Sequence, residues 1–468
     1  LNAGFNLLGT SLAAQEYWDN HRALDYLLTR KDIDPDHIGV YGSSGGGTQT
    51  AYYIGLDPRV KVAAICSFFS TRERTMELQG PSDGCQHIPY EGREQLEVPD
   101  FALMMAPRPL LILSGKYDFV DLWGAQQGFA ELQQCYKVLG VPEKVDMLTV
   151  ETGHGLGAEK RQKLVSWFKR WLKDNQSPVK KAAQDRFQLS DMLCTTKGQV
   201  NVSIPGALSI MQENVNQLDE WAPKRETFLS KGKKTVQTKM LDLLGLKGLP
   251  DHKIRIEATG HDSMREYEQY KFQLIREGEM PVPCILIMPS RANADSPIEL
   301  RLQEEGKGTY LSEYANFAAA LTEGKILLLA DLRGLGETTD PAFYTDAKYW
   351  NREYRNAMIS MHIGRPIMGQ RVVDILTLLD FCSEHELLKG HPVKVFANGI
   401  YGPAVIHAAY LDERINSVEI KHSMKTWKEY IERPMQWDMY SNVLYGALKY
   451  YDLPDLIRLS NCPIRFAD

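Results

Sequence analysis

From Ala13 to Thr29 apolar residues recur at helical spacing, and His37–Tyr41 follows as a short strand. The same reading predicts a helix over Thr48–Leu56, an apolar strand over Val60–Phe69 and a buried strand over Pro109–Ser114. A helix over Ala125–Leu139, a strand over Lys144–Val150 and an amphipathic helix over Glu159–Lys173 close the series. Strands alternating with helices predict a parallel sheet covered on both faces. The pattern then breaks at a polar, Lys-rich stretch, Lys173 to Asp185, that contains Ser177-Pro178 and reads as a domain boundary. Residues 188–250 are mixed, helical from about Ala207 onward, and lead into a second patterned region.

That second region repeats the first at a constant offset of 355. Gly9 to Arg59 matches Gly364 to Arg414 without a gap: Gln15 pairs with Gln370, Asp19 with Asp374, Asp25 with Asp380, Val40 with Val395, Asp57 with Asp412 and Arg59 with Arg414. Pro99-Asp100 matches Pro454-Asp455. The expectation is two tandem copies of one domain, both incomplete in this chain. Copy one begins near its middle and copy two stops short of its end. The expected organisation is a catalytic C-terminal part over 1–175, a linker and helical lead-in over 176–250, and a second, truncated copy over 251–468.

One motif carries chemistry. Gly42-Ser43-Ser44-Gly45-Gly46 fits G-x-S-x-G, with a strand before it and a helix after it. Ser44 fits the register, because Gly lies two residues on either side; for Ser43 those positions are Tyr41 and Gly45. The turn is tight enough that larger side chains at the flanking positions would collide. The amide of Gly45, at the positive end of the following helix, then faces a developing oxyanion. The second oxyanion donor comes from a loop after an earlier strand, which copy one does not contain.

A serine hydroxyl is a poor nucleophile and requires a base, which in turn requires an orienting acid. In this strand–helix architecture the order along the chain is Ser, Asp, His. The next buried strand ends in Ser114-Gly115-Lys116-Tyr117-Asp118, and the one after it in Glu151-Thr152-Gly153-His154-Gly155. Asp118 and His154 therefore fall on the same sheet edge as the elbow. Asp121 is the alternative acid.

The bulk numbers predict two or three domains and are ordinary for a soluble globular protein: 468 residues, 43% hydrophobic, 24% charged. A net charge of -6 gives no reason to expect nucleic acid or an anionic membrane as partner. No run of eighteen apolar residues suggests a membrane span. The seven cysteines show no CxxC pair and no zinc spacing, and read as buried free thiols.

These residues resemble the acetyl xylan esterase-like α/β-hydrolases of bacterial polysaccharide-degrading systems. Copy one carries the likeness in Gly42-Ser43-Ser44-Gly45-Gly46, in Gly80-Pro81-Ser82-Asp83 with Gln86, in Ala106-Pro107-Arg108-Pro109 and in Gly153-His154-Gly155. Copy two carries it in Ala330-Asp331-Leu332-Arg333-Gly334-Leu335-Gly336-Glu337 and in His362-Ile363-Gly364-Arg365-Pro366. The resemblance implies an α/β-hydrolase fold with Ser44 as nucleophile, His154 as general base and acid, and Asp118 as its partner. It implies no metal, no organic cofactor, an acylated carbohydrate substrate and a periplasmic or secreted enzyme. Two rivals stand beside it. One is a serine peptidase of the prolyl-oligopeptidase type, with the same Ser-Asp-His order. The other is a catalytically inactive glycan-binding or scaffolding protein.

Copy two has no nucleophile. Ser44 aligns with Gly399, the elbow reads Ala397-Asn398-Gly399-Ile400-Tyr401, and Ile400 and Tyr401 are expected to crowd a turn that copy one leaves small. The Gly-x-Gly in Arg333-Gly334-Leu335-Gly336 lacks the six-residue nucleotide fingerprint and reads as a tight loop. Phe343, Tyr344, Tyr349 and Trp350 read as a cap or interface, or as a platform for sugars.

Overall fold

The computed structural model describes residues 2–79, 83–179, 187–340, 352–434 and 440–467. Gly80, Pro81 and Ser82 of the resemblance motif, and the aromatic residues Phe343 to Trp350, lie outside the described residues. The chain divides into two compact units: Asn2 with Ser11–Ser209, and Ala3–Thr10 with Ile210–Asp468. No helix among the described residues is long and apolar enough to cross a membrane.

In the first unit four strands, β1 (Gly39–Ser43), β2 (Val62–Cys66), β3 (Leu110–Gly115) and β4 (Val145–Val150), lie in the order β1-β2-β3-β4. Every pair is parallel. β2 and β3 are buried along their whole length, which is why they read as unbroken apolar runs rather than as alternation. Successive residues still face opposite sides of the sheet. Ala63, Ile65, Leu110 and Ile112 pack with Leu24, Tyr53, Ile54, Leu132 and Tyr136 from helices Leu12–Leu28, Gly45–Ile54 and Leu122–Val138. Val62, Ala64, Leu111 and Leu113 pack on the other side with Leu164 and Trp167 of helix Ala158–Lys173. Each such buried aliphatic side chain contributes roughly 1.5–3 kcal/mol relative to exposure.

The helix after β1 starts at Gly45, three residues earlier than its hydrophobic periodicity predicts. Three glycines disfavour a helix on propensity alone, so tertiary geometry overrides it. A Cβ on Gly42 would overlap the carbonyl of Gly46, and one on Gly47 would lie 2.8 Å from the Cys66 carbonyl oxygen and 2.9 Å from the Phe68 Cβ. Gly46, the last residue of the motif, has nothing within 4 Å of the equivalent position. The close approach expected on both sides of Ser44 is therefore made by Gly42 and Gly47.

The second unit holds eight strands: β5 (Arg255–Ser263), β6 (Tyr267–Ile275), β7 (Val282–Pro289), β8 (Ile298–Leu302), β9 (Ile326–Ala330), β10 (Val393–Asn398), β11 (Ile415–Lys421) and β12 (Ile464–Ala467). Their order is β12-β11-β10-β8-β9-β7-β6-β5. From β12 to β9 the pairs are parallel. From β9 to β5 they are antiparallel. Parallel strands around a strand–turn–helix elbow, bordered here by an antiparallel edge, are the α/β-hydrolase architecture. Helices Ile210–Leu229 and Lys233–Leu243 are part of this unit and bury Leu218, Leu229, Val236 and Met240. Ala3–Leu7 of the first helix, Asn2–Leu7, also belong to this unit: Asn6 donates through Nδ2 to the Tyr440 hydroxyl, and its carbonyl accepts from the Gly446 amide at 2.7 Å.

Local structure recurs at the offset of 355. Arg59 binds Asp57 through Nε (2.8 Å) and Nη2 (2.6 Å) and reaches Asp25 through Nη1. Arg414 binds Asp412 through Nε (3.0 Å) and Nη2 (2.6 Å) and reaches Asp380 through Nη1. Glu97 with Asp100, and Asp452 with Asp455, form capping boxes at the starts of matching helices. Positive φ recurs at Ser44 and Gly399 and at Ser67 and His422. All seven cysteines are free; Cys66, Cys284 and Cys382 are buried, whereas Cys194 is exposed and Cys85, Cys135 and Cys462 are half-buried. The expectation of buried thiols is corrected at those four.

Candidate active site

Ser44 follows β1 directly and precedes the first residue of helix Gly45–Ile54. Its backbone sits at φ 57°, ψ -123°, a region non-glycine residues rarely adopt. Neighbouring hydrogen bonds hold it there: its amide donates to the Cys66 carbonyl at 3.0 Å, and its carbonyl accepts from the Thr48 amide at 3.0 Å. The Ser44 side chain does not cap the helix, so its Oγ is not committed to the backbone. The amide of Gly45 is one of the first helical N–H groups, which have no intrahelical acceptor.

Asp118 and His154 lie on the loops after β3 and β4, and those loops are joined to each other. The amide of Lys116 donates to the Val150 carbonyl at 2.8 Å, and that of Tyr117 to the Thr152 carbonyl at 3.1 Å. The approach requires glycine at 115, since a Cβ there would lie 2.6 Å from the Thr152 carbonyl and 2.7 Å from that of Gly153. The result is a 2.8 Å hydrogen bond between His154 Nδ1 and Asp118 Oδ1, with the acid side chain 1% exposed and the histidine 28%. Burial raises the Asp118 pKa. Hydrogen bonds from His154 and the Val120 amide, with the nearby Ser67 hydroxyl, outweigh it and hold the carboxyl below the usual carboxylate range. A carboxylate on Nδ1 makes that nitrogen the donor and leaves Nε2 as the acceptor. Phe119 stacks on the imidazole with ring centroids 4.2 Å apart. Among the described residues no hydrogen bond joins Ser44 Oγ to His154.

Asp121, the alternative acid, is engaged elsewhere. Its carboxylate caps helix Leu122–Val138 through the Gly124 amide at 2.6 Å and pairs with Arg74 at 3.3 Å. Sequence reading missed Ser67 and Lys160, which stand behind the acid and histidine loops. The sole signal for Lys160 is a lysine on the apolar stripe of an amphipathic helix.

At the matching turn of the second unit, Gly399 has φ 68°. A Cβ there would overlap Glu304 Oε2, and that oxygen accepts the Ile400 amide at 3.0 Å. Ile400, in the place of Gly45, thus donates to an internal carboxylate. Ile400 and Tyr401 are buried, and the group filling the space of a side chain at 399 is Glu304. Glu304 follows β8, the strand beside β10. In the first unit β1 pairs with β2 and, among the described residues, has no partner on its other edge.

Residues 8–175 match the model of the prolyl oligopeptidase family. A Bacillus subtilis (strain 168) protein named as a hydrolase, YtaP, is 27% identical over 168 residues, which is 36% of this chain and 56% of that one. The chain thus spans just over half the length of that curated relative. Among solved structures, one described as an acetyl xylan esterase of Bacteroides fragilis is 13% identical, with a TM-score of 0.46 over 57% of this chain and 77% of its own. A family 15 glucuronoyl esterase of Caldicellulosiruptor kristjansonii is 19% identical, with a TM-score of 0.31 over 37% and 53%.

Proposed function

We propose that the first unit is the catalytic part of a serine hydrolase that cleaves acyl esters through an acyl-enzyme. Ser44 is the nucleophile, His154 the base and then the acid, Asp118 its orienting partner, and the Gly45 amide one oxyanion donor. One observation carries the reading: Ser44 is held at φ 57° between β1 and its helix, while Asp118 and His154 are paired at 2.8 Å on the loops after β3 and β4 of the same parallel sheet. His154 Nε2 removes the Ser44 proton as Oγ attacks the carbonyl carbon. The imidazolium returns that proton to the leaving alkoxide. Water, deprotonated by the same nitrogen, then cleaves the acyl-serine.

The substrate we infer is an acylated plant glycan, with acetyl as the leading acyl group. The motifs that resemble carbohydrate esterases support this, and such a substrate would place the enzyme in the periplasm or outside the cell. The second unit, with Gly399 at its elbow, is a tandem copy that carries no nucleophile. A peptidase is the second reading, favoured by the family model that matches residues 8–175.

The test is labelling with a fluorophosphonate probe, followed by hydrolysis assays on acetylated xylo-oligosaccharides and on peptide anilides. Labelling lost in Ser44→Ala, with release of acetate from the glycan, is the expected result. Turnover of the anilides alone would establish the peptidase. A native protein that neither labels nor turns over any substrate would sink both readings and leave a binding fold.

A further inference from the structure

Lys160 is completely buried, 0% exposed, in the first turn of helix Ala158–Lys173. Among the described residues it makes no ion pair. Its ammonium donates instead to Ser67 Oγ at 3.1 Å and to the Gly155 carbonyl at 3.0 Å. A lysine is almost never fully buried without a carboxylate, so its position calls for a reason.

Ser67 supplies one. It follows β2, is itself buried, and has φ 49°. Its Oγ accepts from the Gly155 amide at 3.1 Å as well as from Lys160 at 3.1 Å. A hydroxyl has two acceptor sites and one hydrogen. With both acceptor sites filled, the hydrogen must point elsewhere. Asp118 Oδ1 already takes the His154 ring and the Val120 amide. Its Oδ2 is buried and has no donor at good geometry. The Ser67 hydroxyl is the neighbouring side-chain group near enough to this carboxyl to lower its pKa.

We propose that Lys160 and Ser67 are positioning residues for the reaction, a relay in which Lys160 sets the Ser67 hydroxyl so that its hydrogen completes the Asp118 carboxylate at Oδ2. The same ammonium, through the Gly155 carbonyl, anchors the loop that carries His154. This rests on the proposed roles of Ser44, Asp118 and His154. It assigns a use to a buried charge that the triad alone leaves unexplained. Other titratable groups in this corner include the Cys66 thiol from β2, 3.7 Å from both Ser67 Oγ and the Gly155 carbonyl, Tyr117 on the acid loop, and Lys116 beside it, paired with Glu151 at 2.6 Å on the surface.

The test compares Lys160→Met and Ser67→Gly with the native chain in the pH profile of kcat/KM for an activated acetate ester. Glycine suits the positive φ at 67, so Ser67→Gly removes the hydroxyl without adding backbone strain. Lys160→Met keeps length and apolar volume. Either change leaves the Asp118 carboxylate less satisfied, which strengthens its pull on the imidazolium. The acid limb of the profile should then move up by roughly half a unit to one unit, with kcat lowered about tenfold. Folding is checked by melting temperature, and Ser67→Gly provides the reading if Lys160→Met does not fold. Reduced kcat with an unmoved acid limb in Ser67→Gly would mean a merely structural role and would overturn the proposal. So would native rates and limb in both variants. Failure of the triad itself is separate: it would show as retained activity in Ser44→Ala.

Discussion

The carboxylate of Glu304 occupies the space that a side chain on Gly399 would need, and it accepts the Ile400 amide at 3.0 Å. Introducing a nucleophile by Gly399→Ser must therefore displace Glu304 and also place a non-glycine residue at φ 68°. The expected outcome is a lower melting temperature and no fluorophosphonate label at position 399. Adding Glu304→Ala should recover part of the lost stability, because the two changes compete for one space. Strictly additive losses in the double variant, or a labelled serine at 399, would contradict this.

Asp118 and Asp121 differ by three positions and by function. Asp118→Asn should keep the fold but lower kcat on the order of 10³ to 10⁴-fold, since an amide at Oδ1 no longer selects the tautomer with Nδ1 as donor. Asp121→Ala should do the reverse. It removes a helix cap worth about 1 kcal/mol and leaves the pairing of His154 intact. Melting temperatures and ester turnover of the two variants decide the matter; equal losses of activity would remove Asp118 from its special role.

Much of this site was legible because its chemistry follows strand ends. Ser44, Asp118 and His154 each sit just past a strand, β1, β3 and β4 of one parallel sheet, and parallel strands bring such positions to one edge. The recurring Asp25–Asp57–Arg59 and Asp380–Asp412–Arg414 networks are visible in the sequence as residues matched at one offset. What stayed hidden depends on long-range packing. Glu304 reads as part of an acidic turn, and nothing local says that β8 runs beside β10 and delivers it to Gly399. Lys160 looks like one more charge on a charged helix until its burial is seen. The helix Asn2–Leu7 lies at the start of the first copy in sequence, yet its residues from Ala3 onward are part of the second unit, through contacts such as Asn6 with Tyr440.

The glycines around Ser44 are not equivalent. A methyl group on Gly42 would overlap the Gly46 carbonyl, whereas one on Gly46 would meet nothing within 4 Å. Gly42→Ala should therefore abolish labelling of Ser44 and destabilise the first unit, an overpacking effect of about 1–3 kcal/mol or more. Gly46→Ala should fold normally and retain the label. Its helical position even favours alanine over glycine by roughly 1 kcal/mol. Labelling rates and melting curves separate the two, and equal damage from both would sink the assignment of the close approach to Gly42.

His407, wholly buried in helix Gly402–Leu411, gives the second unit a defined response to acid. Its Nδ1 donates to the Pro403 carbonyl at 2.6 Å, and Nε2 accepts from the Tyr451 hydroxyl at 3.1 Å, so the neutral ring is satisfied on both sides. Burial pushes its pKa down to about 4. The sign follows from proton counts. Above the ordinary histidine value neither state binds the proton and stability is unaffected. Below that value the unfolded chain takes a proton that the folded unit refuses, so stability falls with pH until about pH 4, where the folded ring is protonated too. The full loss is roughly 3 kcal/mol. The melting temperature of the native chain should drop between pH 7 and pH 5 more steeply than that of His407→Gln, whose amide does not titrate. Parallel curves for the two proteins would mean that His407 is protonated as readily when folded as when unfolded, and that its burial does not control the response.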